Sequence, residues 1–457
     1  MKRKLFRLGM VTILVWVLSL FAATGLSLAS ADGDLSEEGK QVTEAVDSLA
    51  QATGTDVALV SYTRKQLFED IYKYTWILKV GPGQFDKIGV YRVVKEKSPG
   101  VPIAAPKAVM MNHGDASNFD TLFLCSTLSN KVPKDQSLGI YLAKKYIDVW
   151  GVDRRWTFVP DGTTDFSFMK NWNTALHVRD IRVGVKLARL IRGSTGSGAG
   201  KLLMLGISRG AQFTYAYANA ETQLPDSSRD LKGIIPMEMV YKFSPQNQDL
   251  KDAAYQRYLE AKEKYDQGIY YSDEPAQLKI ITYLAATAPD DPSPVIPGFT
   301  NKQAALFLLS ATYLTTPLPP VPYYHYLAGK FDSAGIPTDL TYTTFGYALD
   351  LAAATPGYMS IGEDIDGEAL WSDKVAVPYD DYLSQIKIPA LYIGAAGGFG
   401  EYGVHTLSLL GSTDKNSYVV KLYPSDPSLD YGHADPVWAN NAKSLVWPMI
   451  YGWIAIH

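Results

Sequence analysis

Ser208 is the residue of this chain most plainly placed for chemistry. It stands at the centre of Gly206-Ile207-Ser208-Arg209-Gly210, between an apolar run at 201–205 and a helix-like run at 211–220. Such a sharp turn from strand to helix lifts a serine hydroxyl off the sheet edge, and the flanking glycines let the backbones pass closely. The turn also aims the Arg209 N–H, at the helix start, at an oxyanion forming beside Ser208. A serine hydroxyl is a weak nucleophile at its own pKa and needs a base within hydrogen-bond reach. Six histidines are available. His457 is terminal, His177 begins a helix, His325 lies in a Pro- and Tyr-rich stretch, and His405 follows a glycine-rich loop. His433, in Asp430-Tyr431-Gly432-His433-Ala434-Asp435, falls between the last strand-like run and the closing helix. A loop there reaches the C-terminal edge of the sheet, where a base meets the serine.

A second loop completes this constellation. His113-Gly114-Asp115 follows the apolar run KAVMMN at 107–112. Glycine lets the backbone approach a ligand, and the Asp115 N–H is a candidate second oxyanion donor. The His113 ring is expected to brace this loop rather than transfer protons. Asp435 is expected to cap the closing helix, with Pro436 at its first position.

The elements that position these residues are legible as alternating runs. Residues 74–80 and 87–95 are strand-like and are separated by Gly81-Pro82-Gly83, a hairpin signal. Further strand-like runs fall at 147–152, behind a helical stretch around Leu142, and at 233–237, 390–393 and 418–422. In 177–191, Val178, Ile181, Val185 and Ala188 recur at helical spacing, and a Gly/Ser loop at 193–200 ends the helix. Strands alternating with helices imply an α/β class, a mostly parallel sheet covered on both faces. Residues 241–385 break the rhythm with a charged helix at 249–265, Pro-rich loops and apolar helices. They are expected to form an inserted, mainly helical cap between the core parts 32–240 and 386–457.

Lys2, Arg3, Lys4 and Arg7, then an apolar run at 10–28 and Ala29-Ser30-Ala31, read as a secretory signal over 1–31. An uncleaved anchor is the alternative, since the run is long. The chain's formal charge is −4, and loss of those four cations makes it more acidic. An acidic chain is a poor nucleic-acid binder, because phosphate contacts need a basic surface. Cys125 is the single cysteine, so no intramolecular disulfide forms. No ligand spacing for a metal and no phosphate- or dinucleotide-binding motif is found, so no cofactor is expected. Nor is an obligate protein partner implied.

The combination of His113-Gly114, Asp148-Val149-Trp150, the Gly-x-Ser-x-Gly turn and Gly-His-x-Asp-x-x-Trp (Gly432 to Trp438) resembles the α/β-hydrolases, over residues 70–240 and 386–457. Within them it is similar to the acid and gastric lipase branch. The resemblance implies Ser208 and His433 as the catalytic pair and the Arg209 and Asp115 amides as the oxyanion hole. One departure matters. In such lipases the acid follows the strand represented here by 389–393, near Gly398, where this chain has Ala395-Ala396-Gly397-Gly398-Phe399-Gly400. Glu401 lies just beyond. Glu238 ends the preceding core strand, a position that some α/β-hydrolases use for the acid. Both keep the order serine, acid, histidine. Glu238 is preferred, because a carboxylate at a strand end is held rigidly, as an orienting group must be.

These residues and that resemblance imply an exported serine hydrolase of small-molecule or lipid esters, esterase- or lipase-like. A peptidase or amidase on the same fold is the second reading. It would need a cap anchor for an amine, for which Glu363, Asp364 and Asp366 are candidates unless they form a solvated loop. A catalytically silent binding protein of this fold is the third.

Overall fold

The computed structural model describes Leu49 and residues 56–457, so the expected leader at 1–31 lies outside the described residues. Nine strands form the main path of the sheet. They are β1 (Ala58–Phe68), β2 (Ile71–Lys79), β3 (Lys87–Ser98), β4 (Lys107–Asn112), β5 (Ile147–Asp153), β6 (Leu202–Ile207), β7 (Leu231–Met237), β8 (Ala390–Ala395) and β9 (Lys415–Val420). Their spatial order is β1-β2-β3-β5-β4-β6-β7-β8-β9, with Val101–Pro102 pairing alongside β3. The first three are antiparallel, and β2 and β3 pair from Ile71↔Lys95 to Lys79↔Lys87 as the hairpin signal predicts. From β5 to β9 every neighbour is parallel.

The parallel strands are the apolar runs of the sequence, and every residue of β6 is buried. A strand covered on both faces has no polar side to show. Side chains alternate between two cores. Met110 and Met204 face one core together with Ile181 and Val185 of α1 (Thr174–Ser194) and Phe213 of α2 (Arg209–Glu221). Val109, Met111, Leu203 and Leu205 face the other, with Trp447, Ile450 and Trp453 of the last helix.

Residues 238–389 leave the sheet between β7 and β8. They carry α3 (Gln248–Asp266), α4 (Glu274–Thr287), α5 (Asn301–Ser310), α6 (Phe345–Ala353) and α7 (Ile361–Ser372). This segment is not helical throughout. A hairpin pairs Gly329–Phe331 with Pro337–Leu340, and Met359–Ser360 pairs with Tyr271–Ser272. The closing helix also departs from expectation. It is divided into Asp435–Trp438, Ala442–Leu445 and α8 (Trp447–Ile456), because Ala439 turns to extended backbone. No described helix is long and apolar enough to cross a membrane.

Candidate active site

Ser208 joins β6 to α2 with φ +57° and ψ −133°. This backbone conformation is sparsely populated and costs about 1–3 kcal/mol, so it persists only where its surroundings impose it. The surroundings are tight. A Cβ at Gly206 would lie 2.1 Å from the Gly210 oxygen, and one at Gly210 would lie 2.1 Å from the Asn112 oxygen. The Ser208 N–H donates to the Met237 carbonyl at 3.0 Å, tying the turn to the end of β7. Arg209 is the first residue of α2, and the first N–H groups of a helix have no intrahelical acceptor.

Glu238, one residue past β7, also has positive φ, at +47°. Its N–H donates to the Ile393 carbonyl at 2.7 Å, which turns the fully buried side chain under the loop that follows β8. There the carboxylate accepts from main-chain N–H groups of Ala395 (2.5 Å), Phe399 (3.0 Å) and Gly400 (3.3 Å). His433 Nδ1 lies 3.1 Å from Glu238 Oε2. With Nδ1–H donating to the carboxylate, Nε2 is the ring's proton acceptor. Gly398 is needed here, since a Cβ on it would fall 1.9 Å from Glu238 Oε2. Glu401, the other candidate acid, does not approach His433. It is exposed and pairs with Lys421 at 2.6 Å. A 3-10 turn at Gly400–Gly403 carries its side chain to the surface.

The segment at 324–326 holds the His433 loop. The His433 N–H donates to the His325 carbonyl and the Ala434 N–H to the Tyr326 carbonyl, both at 2.8 Å. The Tyr324 and Phe399 rings pack at 5.2 and 5.5 Å from the imidazole. Asp435 is not an N-cap. It begins the short helix itself, and its buried Oδ2 accepts from the N–H groups of Gly432 (2.9 Å) and Ala328 (2.8 Å). Burial pushes its carboxyl up to about 7, against the pull of those two donors.

On the opposite side, the loop after β4 lies against the serine. A Cβ on Gly114 would come 2.7 Å from Ser208 Cβ and 3.2 Å from its Oγ. His113 braces this loop: Nδ1 donates to the Gly114 carbonyl (2.9 Å) and Nε2 accepts from the Arg154 N–H (3.3 Å). Burial, then the neighbouring Arg154 cation, push its pKa well below the usual histidine range, which fits that neutral tautomer. The Asp115 carboxylate is held by Arg209 Nε at 3.1 Å.

Glu363, Asp364 and Asp366 are not a solvated loop. They lie in α7, and each is engaged by the protein's own groups: Glu363 by Arg154, His177 and Trp156, Asp364 by Arg209, and Asp366 by the Thr174 N–H. Burial alone would raise the Glu363 carboxyl, but Arg154 and His177 hold it down at about 2. The sequence reading missed Arg154, and with it this network. One signal was present: Ser360-x-x-Glu363 has the form of a capping box at a helix start. Ser360 does accept from the Gly362 N–H at 3.2 Å, while the Glu363 carboxylate turns inward.

No family model and no curated sequence matches this chain. Solved structures do. One described as a "putative lipase from Sulfolobus solfataricus" superposes with a TM-score of 0.59 at 18% identity, over 87% of this chain and 99% of that one. A soluble variant of monoglyceride lipase from Saccharomyces cerevisiae matches at TM-score 0.42 and 12% identity, over 88% and 97%. A structure from work on carboxylesterases of Nitrososphaera gargenis matches at 0.41 and 12%, over 82% and 97%. With its parallel sheet, flanking helices and strand-to-helix serine turn, the chain has the α/β-hydrolase fold.

Proposed function

We propose that the chain is a serine hydrolase that cleaves carboxylic esters through an acyl-serine intermediate, with Ser208, His433 and Glu238 as its triad. The observation that supports this best is the 3.1 Å contact of His433 Nδ1 with a carboxylate caged by main-chain donors, beside a serine on a strained turn. The solved structure matched over 87% of the chain is described as a lipase, which agrees. His433 Nε2 takes the hydroxyl proton as Ser208 Oγ attacks the ester carbonyl. Glu238 fixes the tautomer and balances the imidazolium that forms. The oxyanion is received by the Arg209 and Asp115 N–H groups, each contributing about 3–4 kcal/mol of barrier lowering. The alcohol leaves with the proton from His433. Water then attacks the acyl group and gives its proton to His433, which returns it to Ser208 Oγ as the acyl–oxygen bond breaks and the acid departs.

The test is covalent labelling by a fluorophosphonate, followed beside hydrolysis of p-nitrophenyl esters of increasing acyl length. Labelling and turnover in the parent that vanish in Ser208→Ala support the reading. A parent that neither labels nor turns over any ester leaves a binding protein in its place. Export is proposed separately, on residues 1–31 alone. N-terminal sequencing of the cell-free or envelope fraction is expected to begin at Asp32; a Met1 start in the envelope would mean an uncleaved anchor, and a protein confined to the cytoplasm would overturn export.

A further inference from the structure

Two buried guanidinium groups grip the Gly114–Asp115 peptide. Arg154, 2% exposed, donates from Nη2 to the Gly114 carbonyl at 2.7 Å, where Ser117 Oγ also donates at 2.9 Å. A trans peptide directs its N–H opposite to its C=O. Fixing the Gly114 oxygen toward Arg154 therefore fixes the Asp115 N–H away from it. Arg209 holds the other end through the Asp115 carboxylate.

Each cation is tied to the first turn of α7. Glu363 Oε2 lies 3.4 Å from Arg154 Nη1, and its Oε1 accepts from Trp156 Nε1 at 2.9 Å. The next residue, Asp364, accepts from Arg209 Nη2 at 2.9 Å. Gly367, one turn on, makes the room: a Cβ there would fall 1.7 Å from Arg209 Nη1. Just ahead of the helix, Met359 Sδ accepts from the Ala116 N–H at 2.9 Å. Gly114 and Asp115 are thus connected to one helix of the inserted segment, and Ala116 to the residue two before its start.

We propose that Glu363 and Asp364 are positioning residues for the oxyanion hole, acting through Arg154 and Arg209 to set the direction of the Asp115 N–H. This rests on the ester-hydrolase reading above. Both acids face the arginines, so substrate binding is expected to hold while the transition state loses its donor. A donor displaced by about 1 Å costs on the order of a hundredfold in rate.

The experiment uses the full chain with Glu363→Gln and Asp364→Asn. Sites are titrated by the fluorophosphonate, and kcat is expressed per titrated site, so that a misfolded fraction lowers the number of sites and not the rate at each. The expected result is a kcat about 10–100-fold lower in Glu363→Gln and a smaller fall in Asp364→Asn. KM is expected within threefold of the parent, and the phosphonylation rate to fall in step with kcat. Unchanged kcat per site in both variants, or a loss confined to KM, overturns the inference while leaving the enzyme reading intact. A parent without labelling or turnover overturns both.

Discussion

The two sides of the proposed site are held by different kinds of contact. The acid side is caged by main chain: Glu238 accepts three backbone N–H groups, and the His433 loop pairs by backbone with 325–326. On the oxyanion side, the Gly114 carbonyl and the Asp115 carboxylate are held by two buried arginines, each of which also pairs with an acid of α7. Backbone donors survive most substitutions and do not titrate. Ion pairs depend on both partners, and removing one leaves a buried charge uncompensated. On the proposed assignment, the difference makes the acid side the fixed part of the site and the oxyanion side the adjustable one.

That contrast can be broken at several points. Glu238→Gln keeps the shape of the cage but offers His433 an amide and favours the wrong tautomer. A kcat loss of about 10³–10⁴-fold is expected, with a folded protein by circular dichroism. A loss under tenfold would remove Glu238 from the triad. Disturbing α7 should cost less, as set out above for Glu363, and equal losses on the two sides would erase the distinction. Asp435→Asn acts on stability rather than rate. Its folded carboxyl sits near 7, above an unfolded value near 4, so its contribution is fully present below about 4 and is lost as pH rises through about 7. The asparagine variant should therefore lose less stability between pH 5 and 8 than the parent, by about 3 kcal/mol, measured from urea midpoints. An identical pH slope would show that Asp435 titrates normally. Glu401→Gln should change kcat less than twofold, because that carboxylate faces Lys421 at the surface, and should change stability by about 0–1 kcal/mol.

The parallel half of the sheet was legible because its strands are continuous apolar runs, a consequence of cover on both faces. β1 was not, since it is a largely exposed edge strand in which apolar and polar residues are mixed without a continuous apolar run. Ser208 and Glu238, as candidates, were legible because each directly follows a readable strand, and His433 because it lies in the loop after the last one, where topology restricts what it can meet. The arginine–carboxylate network could not. Arg154 and Glu363 are about 200 positions apart, and a charge in a helix's first turn looks the same in sequence whether it faces water or a buried cation. Asp435 was misread for a related reason: its position beside a proline matches a cap, and only the packing of 328 against 432 shows where its oxygens go.

The crowding at Gly398 constrains how such a site can change over descent. A side chain at that position and the present carboxylate of Glu238 would claim the same volume. An acid at 398 would therefore displace the Glu238 carboxylate from its present place against His433, so the two positions cannot both serve the imidazole in this geometry. Moving the acid to 398 in this chain would require Glu238 to be changed with it, so the two positions form one unit for substitution.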